Sequence, residues 1–164
     1  MTSIKDARAT FARDIAKATT AEAAFDALYA FVKAAVPARL FTVSQSDMDT
    51  MIARRAYTNN AEAYPVSGEK KINPDRFWHR IHVEQETYVE NDIANDKEHF
   101  FDYDLIVSLG CEAAMNMPII LDGKVQGTIN ILDAKNSYTP EVVEILETEL
   151  RIAAMLAFKI AKSA

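Results

Sequence analysis

Apolar residues alternate with polar ones on either side of a short turn in the C-terminal half of the chain. The stretch from residue 112 to 133 reads EAAMNMPIILDGKVQGTINILD, with two apolar runs that flank Asp122-Gly123. A type I′ turn needs positive φ at both central residues, so Asp-Gly between such runs predicts a β-hairpin. Neither face of this hairpin is uniformly polar, which predicts a sheet that is covered on both sides.

The register of the hairpin decides which of its side chains share a face. A simple two-residue loop pairs Leu121 with Lys124. This register places Asn116 on the face opposite to Thr128 and Asn130, because side chains alternate along a strand. Only a β-bulge would bring the three polar residues together. In the simple register, the face that we predict to line a ligand pocket carries Met115, Met117, Thr128 and Asn130.

The N-terminal part of the chain predicts two helices. Ser3 is suited to cap a first helix over residues 4–18. The pattern Thr19-Thr20-Ala21-Glu22 is a capping box and predicts a second helix that ends near Ala35. Pro37 closes that second helix, since proline cannot continue it.

Short strands are predicted in the middle of the chain. Residues 40–44 read as a strand, and residues 51–58 as its hairpin partner after a polar turn. Residues 59–71 contain Asn-Asn, Pro65 and Gly68, and therefore predict a loop. Residues 87–89 predict a further short strand.

Two more helices are predicted before the hairpin. Asn73-Pro74-Asp75 reads as a helix start, with Asn73 as the cap and the proline at the first helical position. Asp96 is suited to cap a helix that reaches Leu109. Gly110 suits the left-handed conformation that often ends a helix. Strands and helices in this order predict the α+β class, with helices packed on an antiparallel sheet.

The last helix is predicted to begin at Thr139-Pro140 and to run to about Lys162. It carries a broad apolar stripe, only part of which is needed to pack on the sheet. Together with the first helix, the excess stripe predicts a homodimer built on terminal helices. The residues of the first helix that would contribute are Ile4, Phe11 and Ile15.

Composition narrows the class of protein. The 164 residues are 49% hydrophobic and 26% charged, as expected for one globular domain over residues 1–164. The net charge is −6 and no Lys/Arg cluster stands out, which argues against nucleic acid and against membranes as partners. The single cysteine excludes an intramolecular disulfide. No signal-peptide pattern begins the chain, and we expect a cytoplasmic protein.

The C-terminal half resembles the GAF domain family. The sequence pattern of the family is matched over residues 113–158. The order of helices and strands also fits the family over nearly the whole chain. The family pattern combines a small residue, alternating apolar residues with proline, a glycine turn, a Gly-apolar strand and Tyr/Phe-Thr/Ser before a long helix. Here these positions are Ala113, Met115, Asn116, Met117-Pro118-Ile119, Asp122-Gly123, Gly127-Thr128-Ile129 and Tyr138-Thr139.

The resemblance implies a fold and a class of function. It implies a six-stranded antiparallel sheet with the N- and C-terminal helices on one face and a helical and loop roof over a pocket on the other. It also implies a domain that senses a small molecule. Because no effector domain fits within this chain, we expect a stand-alone regulatory domain that signals through dimerisation or a partner.

The roof segment, residues 77–103, is rich in aromatic residues and histidines. One interpretation is an aromatic pocket with imidazole donors for a small ligand. The other is a second small core, which any such roof needs. Basic side chains near the roof, Lys70, Lys71, Arg76 or Arg80, would attract an anionic ligand. The ligand-binding candidates are Trp78, His82, Tyr88, Phe101, Met115, Met117, Thr128 and Asn130.

Catalysis and cofactors have weaker support in the sequence. An enzyme would have to use Cys111, His79 or His82 in catalysis. The methionine sulfoxide reductases of this family use several cysteines that form an intramolecular disulfide, which a single cysteine cannot form. We predict no metal, because His79 and His82 lack a third ligand nearby. Cys111 lacks the neighbouring His of bilin attachment sites, and haem is not supported, so the cofactor is unknown. Two alternatives to a sensor stay open: a small enzyme, and an interaction protein with a vestigial pocket.

Overall fold

Six antiparallel strands form one sheet in the computed structural model, which describes residues 2–164. Met1, where the predicted domain begins, lies outside the described residues. The strands are β1 (Leu40–Asp47), β2 (Ile52–Thr58), β3 (Glu69–Lys71), β4 (Tyr88–Glu90), β5 (Ala113–Leu121) and β6 (Lys124–Asp133). Their order across the sheet is β3-β2-β1-β6-β5-β4, so the predicted hairpin β5–β6 lies inside the sheet.

Helices precede, interrupt and follow the strands. They are α1 (Ile4–Ile15), α2 (Ala21–Ala35), α3 (Arg76–Trp78), α4 (Tyr103–Ser108), α5 (Pro140–Ile145) and α6 (Arg151–Ser163). A π-helical turn, His79–Val83, extends α3, and another, Leu146–Leu150, joins α5 to α6. A 3₁₀ turn spans Ile93–Asp96. Within residues 2–164, no helix has the length and apolar character needed to cross a membrane.

Side-chain caps fix the starts of the terminal helices. The Ser3 hydroxyl accepts a hydrogen bond from the Asp6 amide, and the Thr139 hydroxyl accepts one from the Val142 amide. Both caps confirm the predictions. The cap of α2 is Thr20, whose hydroxyl accepts from the amide of Ala23. The predicted capping box is therefore wrong, because Glu22 lies one residue too early to reach back to the cap.

The segment before the roof departs from the prediction in two places. Asp75 caps α3 by accepting from the Trp78 amide at 2.8 Å, so Asn73 is not the cap. Asp75 itself has extended backbone geometry, which moves the helix start beyond Pro74. The predicted loop at residues 59–71 ends in β3, where Glu69 pairs with Arg54 across the sheet. A charged three-residue edge strand has no apolar alternation by which it could be predicted.

The helix predicted from Asp96 to Leu109 is much shorter in the structure. Only α4 is α-helical, and Asp96 ends the preceding 3₁₀ turn. The Asp96 carboxylate accepts from the hydroxyl of Tyr88 and lies 3.3 Å from the guanidinium of Arg76, so it does not cap a helix. Gly110 follows with φ +84°, as predicted.

A large apolar core lies between the sheet and the helices α1, α2, α5 and α6. On the sheet side it contains Phe41, Val43, Met115, Met117, Ile119, Ile129 and Ile131. Phe11 and Ile15 of α1 belong to it, and the Phe11 ring lies 5.5 Å from that of Phe31. These two residues are therefore not available for the predicted dimer contact.

A second, smaller core lies on the other face, beneath the roof segment. It contains Leu40, Ile81, Tyr88, Ile93, Phe100, Ile106, Cys111, Ala114, Val125 and Leu132. The six-stranded antiparallel sheet with terminal helices on one face and a roof on the other confirms the predicted α+β fold.

Candidate functional site

A β-bulge in β6 decides which residues face the roof. The turn has the predicted geometry, with φ +55° at Asp122 and +73° at Gly123. Next to the turn, Leu121 pairs with Lys124 and Ile120 pairs with Val125, but Ile119 pairs with Gly127. Gln126 is therefore an extra residue in β6, and every pairing beyond it is displaced by one position.

The bulge reverses the face assignment made from the simple register. Met115 pairs with Ile131 and Met117 with Ile129, and both methionines are buried in the helix-side core. The prediction that Met115 and Met117 line the pocket with Thr128 and Asn130 is wrong. One extra residue inverts the facing of a whole strand because the side-chain period is two.

A second bulge places a cation on the roof face. Val43 pairs with Tyr57, but Ser44 pairs with Arg55, so Ala56 is an extra residue in β2. In a regular ladder without the bulge, Arg55 would share the helix-side face with Tyr57, because residues two apart in a strand lie on the same face. With it, Arg55 lines the space under the roof together with Ser44.

A cavity of about 370 Å³ lies between the sheet and the roof segment. Its floor is formed by inward-facing residues of the central strands, and its walls come from β2, β3 and the roof. The floor includes Leu40, Thr42, Ser44, Asn116, Thr128, Asn130 and Leu132. The walls include Ala53, Arg55, Tyr64, Lys70, Phe77, Trp78, His82, His99, Phe100, Phe101 and Asp102.

A network of amide and hydroxyl groups occupies the floor. The Asn130 carbonyl oxygen accepts from Asn116 Nδ2 at 2.8 Å and from Thr128 Oγ1 at 2.9 Å. Its amide nitrogen donates to Thr42 Oγ1 at 3.0 Å and to Ser44 Oγ at 3.1 Å. Four side chains from three strands thus hold Asn130 in one orientation, which makes this floor a rigid polar surface.

Aromatic rings form one wall. The His99 ring stacks on Phe77 with centroids 3.9 Å apart, and Phe100 meets His99 edge-on. Burial lowers the pKa of His99 to about 4, and the nearby Lys70 cation acts in the same direction. His99 is therefore a neutral, ring-like wall element at neutral pH. Its Nδ1 lies 3.3 Å from an oxygen of Asp75.

Two predicted ligand-binding residues, Trp78 and His82, do line the cavity. Their rings lie 6.2 Å apart, and burial lowers the pKa of His82. Phe101 reaches the cavity only at its outer edge, since 72% of the side chain is exposed. Its ring lies 5.2 Å from the ammonium group of Lys70.

Tyr88 is not among the residues that line the cavity. It pairs with Asn116 and so faces the roof, but it is buried in the second core beside Phe77. Its hydroxyl donates to Asp96 and accepts from Arg76 at 3.1 Å. Ring and hydroxyl are both engaged within the protein, so Tyr88 contributes no surface to this cavity.

The basic residues near the roof divide into paired and unpaired cations. Arg76 forms ion pairs with Glu90 and Asp96, and Arg80 forms them with glutamates of its own segment. Arg55 and Lys70 line the cavity, and neither forms an ion pair with any carboxylate of residues 2–164. Arg55 Nη1 donates to the Pro65 carbonyl, and Lys70 Nζ to that of His99.

Three buried polar atoms have no hydrogen-bond partner within the described part of the chain. They are Arg55 Nε, Trp78 Nε1 and Asn116 Oδ1. All three belong to side chains that line the same cavity. Unpaired buried polar groups are costly and rare in folded proteins, so it is notable that all three lie in the lining of one cavity.

The catalytic candidates are dispersed. Cys111 is fully buried in the second core, where burial raises the pKa of its thiol to about 11. His79 is exposed and lies outside the cavity, with Nδ1 3.5 Å from Glu84. Of these three candidates, only His82 lines the cavity. Among the described residues, no group of three or more His, Cys, Asp and Glu side chains is arranged to hold a metal ion.

A six-stranded antiparallel sheet, a helical face and a roofed cavity on the other face define an α+β domain. The model of the GAF domain family matches residues 13–162, and the chain therefore belongs to the GAF domain family. Domains of this family are commonly sensor or regulatory domains. No curated protein matches the sequence.

Solved structures share the fold at low sequence identity. The GAF domain of a phosphoenolpyruvate-protein phosphotransferase from Coxiella burnetii has a TM-score of 0.74 at 16% identity, covering 98% of this chain and 94% of that one. The corresponding Acinetobacter domain has a TM-score of 0.73 at 12% identity, with 99% and 96% covered. The GAF domain of a sensor histidine kinase from Bacillus halodurans has a TM-score of 0.71 at 10% identity, with 89% and 99% covered.

The site residues that the sequence did not identify include Arg55, Asn116 and His99. Arg55 and Asn116 reach the cavity only because of the two bulges. A signal was present nonetheless, since Asn116, Thr128 and Asn130 interrupt runs that are otherwise apolar. Buried polar side chains need one another as partners, and a single bulge is the simplest way to bring all three together.

Proposed function

We propose that this GAF domain binds a small organic molecule in the cavity beneath the roof segment and acts as a sensor or regulatory domain. The observation that carries the proposal is a roofed cavity whose lining brings together Arg55 and Lys70, neither of which has an ion pair among the described residues, the polar floor around Asn130 and the aromatic rings of the roof. A ligand with both acceptor and donor groups would pair with the cations and the polar floor.

The size and lining of the cavity support this function. A volume of about 370 Å³ suits a ligand of small-metabolite size. Aromatic rings of Phe77, Trp78 and Phe100 supply apolar contact, and the amide network around Asn130 supplies fixed polar groups. Such a combination of apolar walls and a few oriented polar groups is typical of small-molecule sites.

The roof offers a route from ligand to output. It is built from short elements, and the residues that line the cavity lie both in the sheet and in this segment. A ligand that contacts both would favour one arrangement of the roof over the sheet, because it binds that arrangement more tightly than others. A partner protein that binds this arrangement of the roof would then bind more tightly when the ligand is present.

The function can be tested by thermal unfolding in the presence of small metabolites. The probes are organic acids, their primary amides, amino acids, nucleotides and aromatic amines, each titrated to saturation. We expect at least one class to raise the Tm, by several degrees when the ligand is about a hundredfold above its Kd. The absence of any saturable rise would contradict the proposal and favour an interaction protein with a vestigial pocket.

A cavity-filling variant provides the control. Ala53 lies on β2 with its side chain at the cavity, so Ala53→Phe should remove the ligand-induced rise. Arg54 follows it on the opposite face of β2 and is exposed. Arg54→Phe adds the same ring outside the cavity and should keep the rise, which separates occupancy of the cavity from a general effect of a new aromatic residue.

A small enzyme remains the second candidate only through His82. His82 lines the cavity and burial lowers its pKa, so it is available as a neutral acceptor. Turnover of a bound ligand that is lost in His82→Gln while ligand binding and folding are kept would favour the enzyme. Loss of turnover is not expected from His79→Gln, because His79 lies outside the cavity.

The predicted homodimer also remains a proposal, and the structure limits which residues could form it. Ile152 and Leu156 on α6 are 71% and 42% exposed and lie one helical turn apart. Ile4 is partly buried against the helical core. Sedimentation velocity at high micromolar concentration tests the proposal, and a monomer there would contradict it.

A further inference from the structure

We infer that the ligand is a small organic carboxylate whose anionic group is held between Arg55 and Lys70 at the β2–β3 end of the cavity. The inference rests on the proposed function and names the chemical class of its ligand. Arg55 lies on β2 and Lys70 on β3, which are neighbouring strands at one edge of the sheet. Both side chains line the cavity. Lys70 pairs with Ala53, and the Arg55 amide donates to the Gly68 carbonyl, so the two cations are diagonal neighbours on one face.

Arg55 presents a guanidinium group without a carboxylate partner among the described residues. Its Nη1 is occupied by the Pro65 carbonyl, and its guanidinium lies 4.9 Å from the ring centre of Tyr64. These contacts fix the guanidinium plane at the cavity wall. A carboxylate oxygen is the acceptor that arginine binds most strongly, because both partners are charged and the geometry of the donors matches.

Lys70 is a cation held in a largely buried position. Its Nζ donates to the carbonyl of His99 at 3.2 Å, which uses one of three donors. Burial lowers the pKa of Lys70, so the charged form is poorly solvated where it lies. An anion at the cavity would stabilise that form directly.

The acids that face the two cations have partners of their own. Asp102 opposes the effect of burial on the pKa of both Arg55 and Lys70, but its carboxylate already accepts the hydroxyl of Tyr64. Asp75 accepts from the amide of Trp78 and faces Nδ1 of His99. Glu69 and Glu98 also line the cavity, and Glu69 forms an ion pair with Arg54. The acids thus moderate the cationic end, but none of them forms an ion pair with Arg55 or Lys70.

The rest of the cavity favours an organic carboxylate over a bare inorganic anion. Phe77, Trp78 and Phe100 line it with aromatic surface. The amide and hydroxyl groups around Asn130 lie away from the cationic edge, on the central floor. The geometry fits a molecule with a carboxylate at one end, an apolar body and a polar group at the other.

Matched pairs of probes isolate the charge of the ligand. Calorimetric titration of the full chain uses benzoate, phenylacetate, indole-3-acetate, indole-3-lactate and pyruvate, each compared with its own primary amide. We expect the Kd of the best carboxylate to be at least about tenfold lower than that of its amide. Arg55→Gln and Lys70→Met should each raise the carboxylate Kd by about tenfold and leave the amide unchanged.

Two control variants match the two test variants. Arg54→Gln removes an exposed arginine from the adjacent position, and Lys33→Met removes an exposed lysine from α2. Both should leave the carboxylate Kd unchanged. Circular dichroism checks that each variant folds, and the carboxylate–amide comparison on the unmodified chain stands even if one variant does not.

The outcomes separate this inference from the proposed function. Amides that bind as tightly as the carboxylates, or a carboxylate Kd unaffected by both Arg55→Gln and Lys70→Met, would overturn the inference and leave small-molecule binding intact. Binding by nucleotides or aromatic amines but by no carboxylate would do the same. Only a failure of every probe class in the thermal-shift test would overturn both.

Discussion

Asn116 and Asn130 lie directly opposite each other on β5 and β6, and Asn116 Nδ2 donates to Asn130 Oδ1 at 2.8 Å. The simple hairpin register would put them on opposite faces of the sheet. Their contact exists because Gln126 is an extra residue, and it orients the amide that also binds Thr42 and Ser44. The bulge and the polar floor of the cavity are thus one feature.

We predict that Asn130→Ala lowers the free energy of unfolding by about 2 kcal/mol, because Asn116, Thr128 and their neighbours lose their shared partner. Urea unfolding measures the change. A double-mutant cycle with Asn116→Ala should give a coupling of about 1 kcal/mol. Asn95→Ala, at an exposed site, should stay within about 0.5 kcal/mol, and equal losses at both sites would contradict the network.

Gly127 is required for close packing. A Cβ there would lie 2.1 Å from the Ser44 carbonyl oxygen and 3.0 Å from the ring of Phe158. We expect Gly127→Ala to destabilise the fold by about 3 kcal/mol, through displacement of β1 or α6. Gly123→Ala meets no atom within 4 Å and only strains a positive φ, so it should lose about 1 kcal/mol. Chemical unfolding measures the loss of stability in both variants. A larger loss in Gly123→Ala than in Gly127→Ala would contradict this account.

The facing of Met117 can be tested by truncation. Met117 is buried in the helix-side core, so Met117→Ala should lower stability by about 3 kcal/mol. The carboxylate Kd should not change, since the side chain points away from the cavity. Met48→Ala is the control, because Met48 is 38% exposed in a turn and its truncation should have little effect. A stable Met117→Ala with altered ligand binding would favour the simple register.

His99 should make stability depend on pH. Burial lowers its folded-state pKa to about 4, below the value of about 6.5 in the unfolded chain. The unfolded state therefore binds more protons between these values, and the unfolding free energy falls as pH falls from about 6.5 to about 4. The full loss is about 3 kcal/mol, and stability is pH-independent with respect to His99 above that window.

Urea unfolding at pH 7 and pH 5 isolates this contribution. His99→Gln should reduce the difference between the two pH values, because it removes the buried group that titrates in this window. Burial also lowers the pKa of His82. His82 therefore contributes to the pH dependence of stability in the same direction, and part of that dependence should persist in His99→Gln. An unchanged pH dependence in His99→Gln would show that His99 is not a neutral wall element.

The parts of the fold that are encoded locally were predictable. Asp122-Gly123 defines its turn by backbone conformation alone, and Ser3 and Thr139 cap helices with their own hydroxyls. The roof was less predictable, because its short elements depend on distant partners. Asp96 resembles a helix cap in sequence, but in the fold its carboxylate binds Tyr88 and Arg76.

The site was predictable only in part, for a physical reason. Trp78, His82, Thr128 and Asn130 were identified from residue type and lie at the cavity. Register is a long-range property, however, and an added residue in a strand leaves little trace in local hydrophobicity. Met115 and Met117 therefore appeared to face the ligand, and Arg55 did not.

The bulges also bear on how such a domain changes its ligand over time. A substitution alters one contact, whereas a second extra residue before Thr128 that is not accommodated as a bulge would exchange the row of β6 side chains beyond it between the cavity and the helical core. Asn130 would then enter apolar surroundings while Ile129 and Ile131 faced the ligand. Single-residue insertions and deletions in β2 or β6 are therefore abrupt steps in the history of this site, and a viable one must arrive with compensating changes in the core.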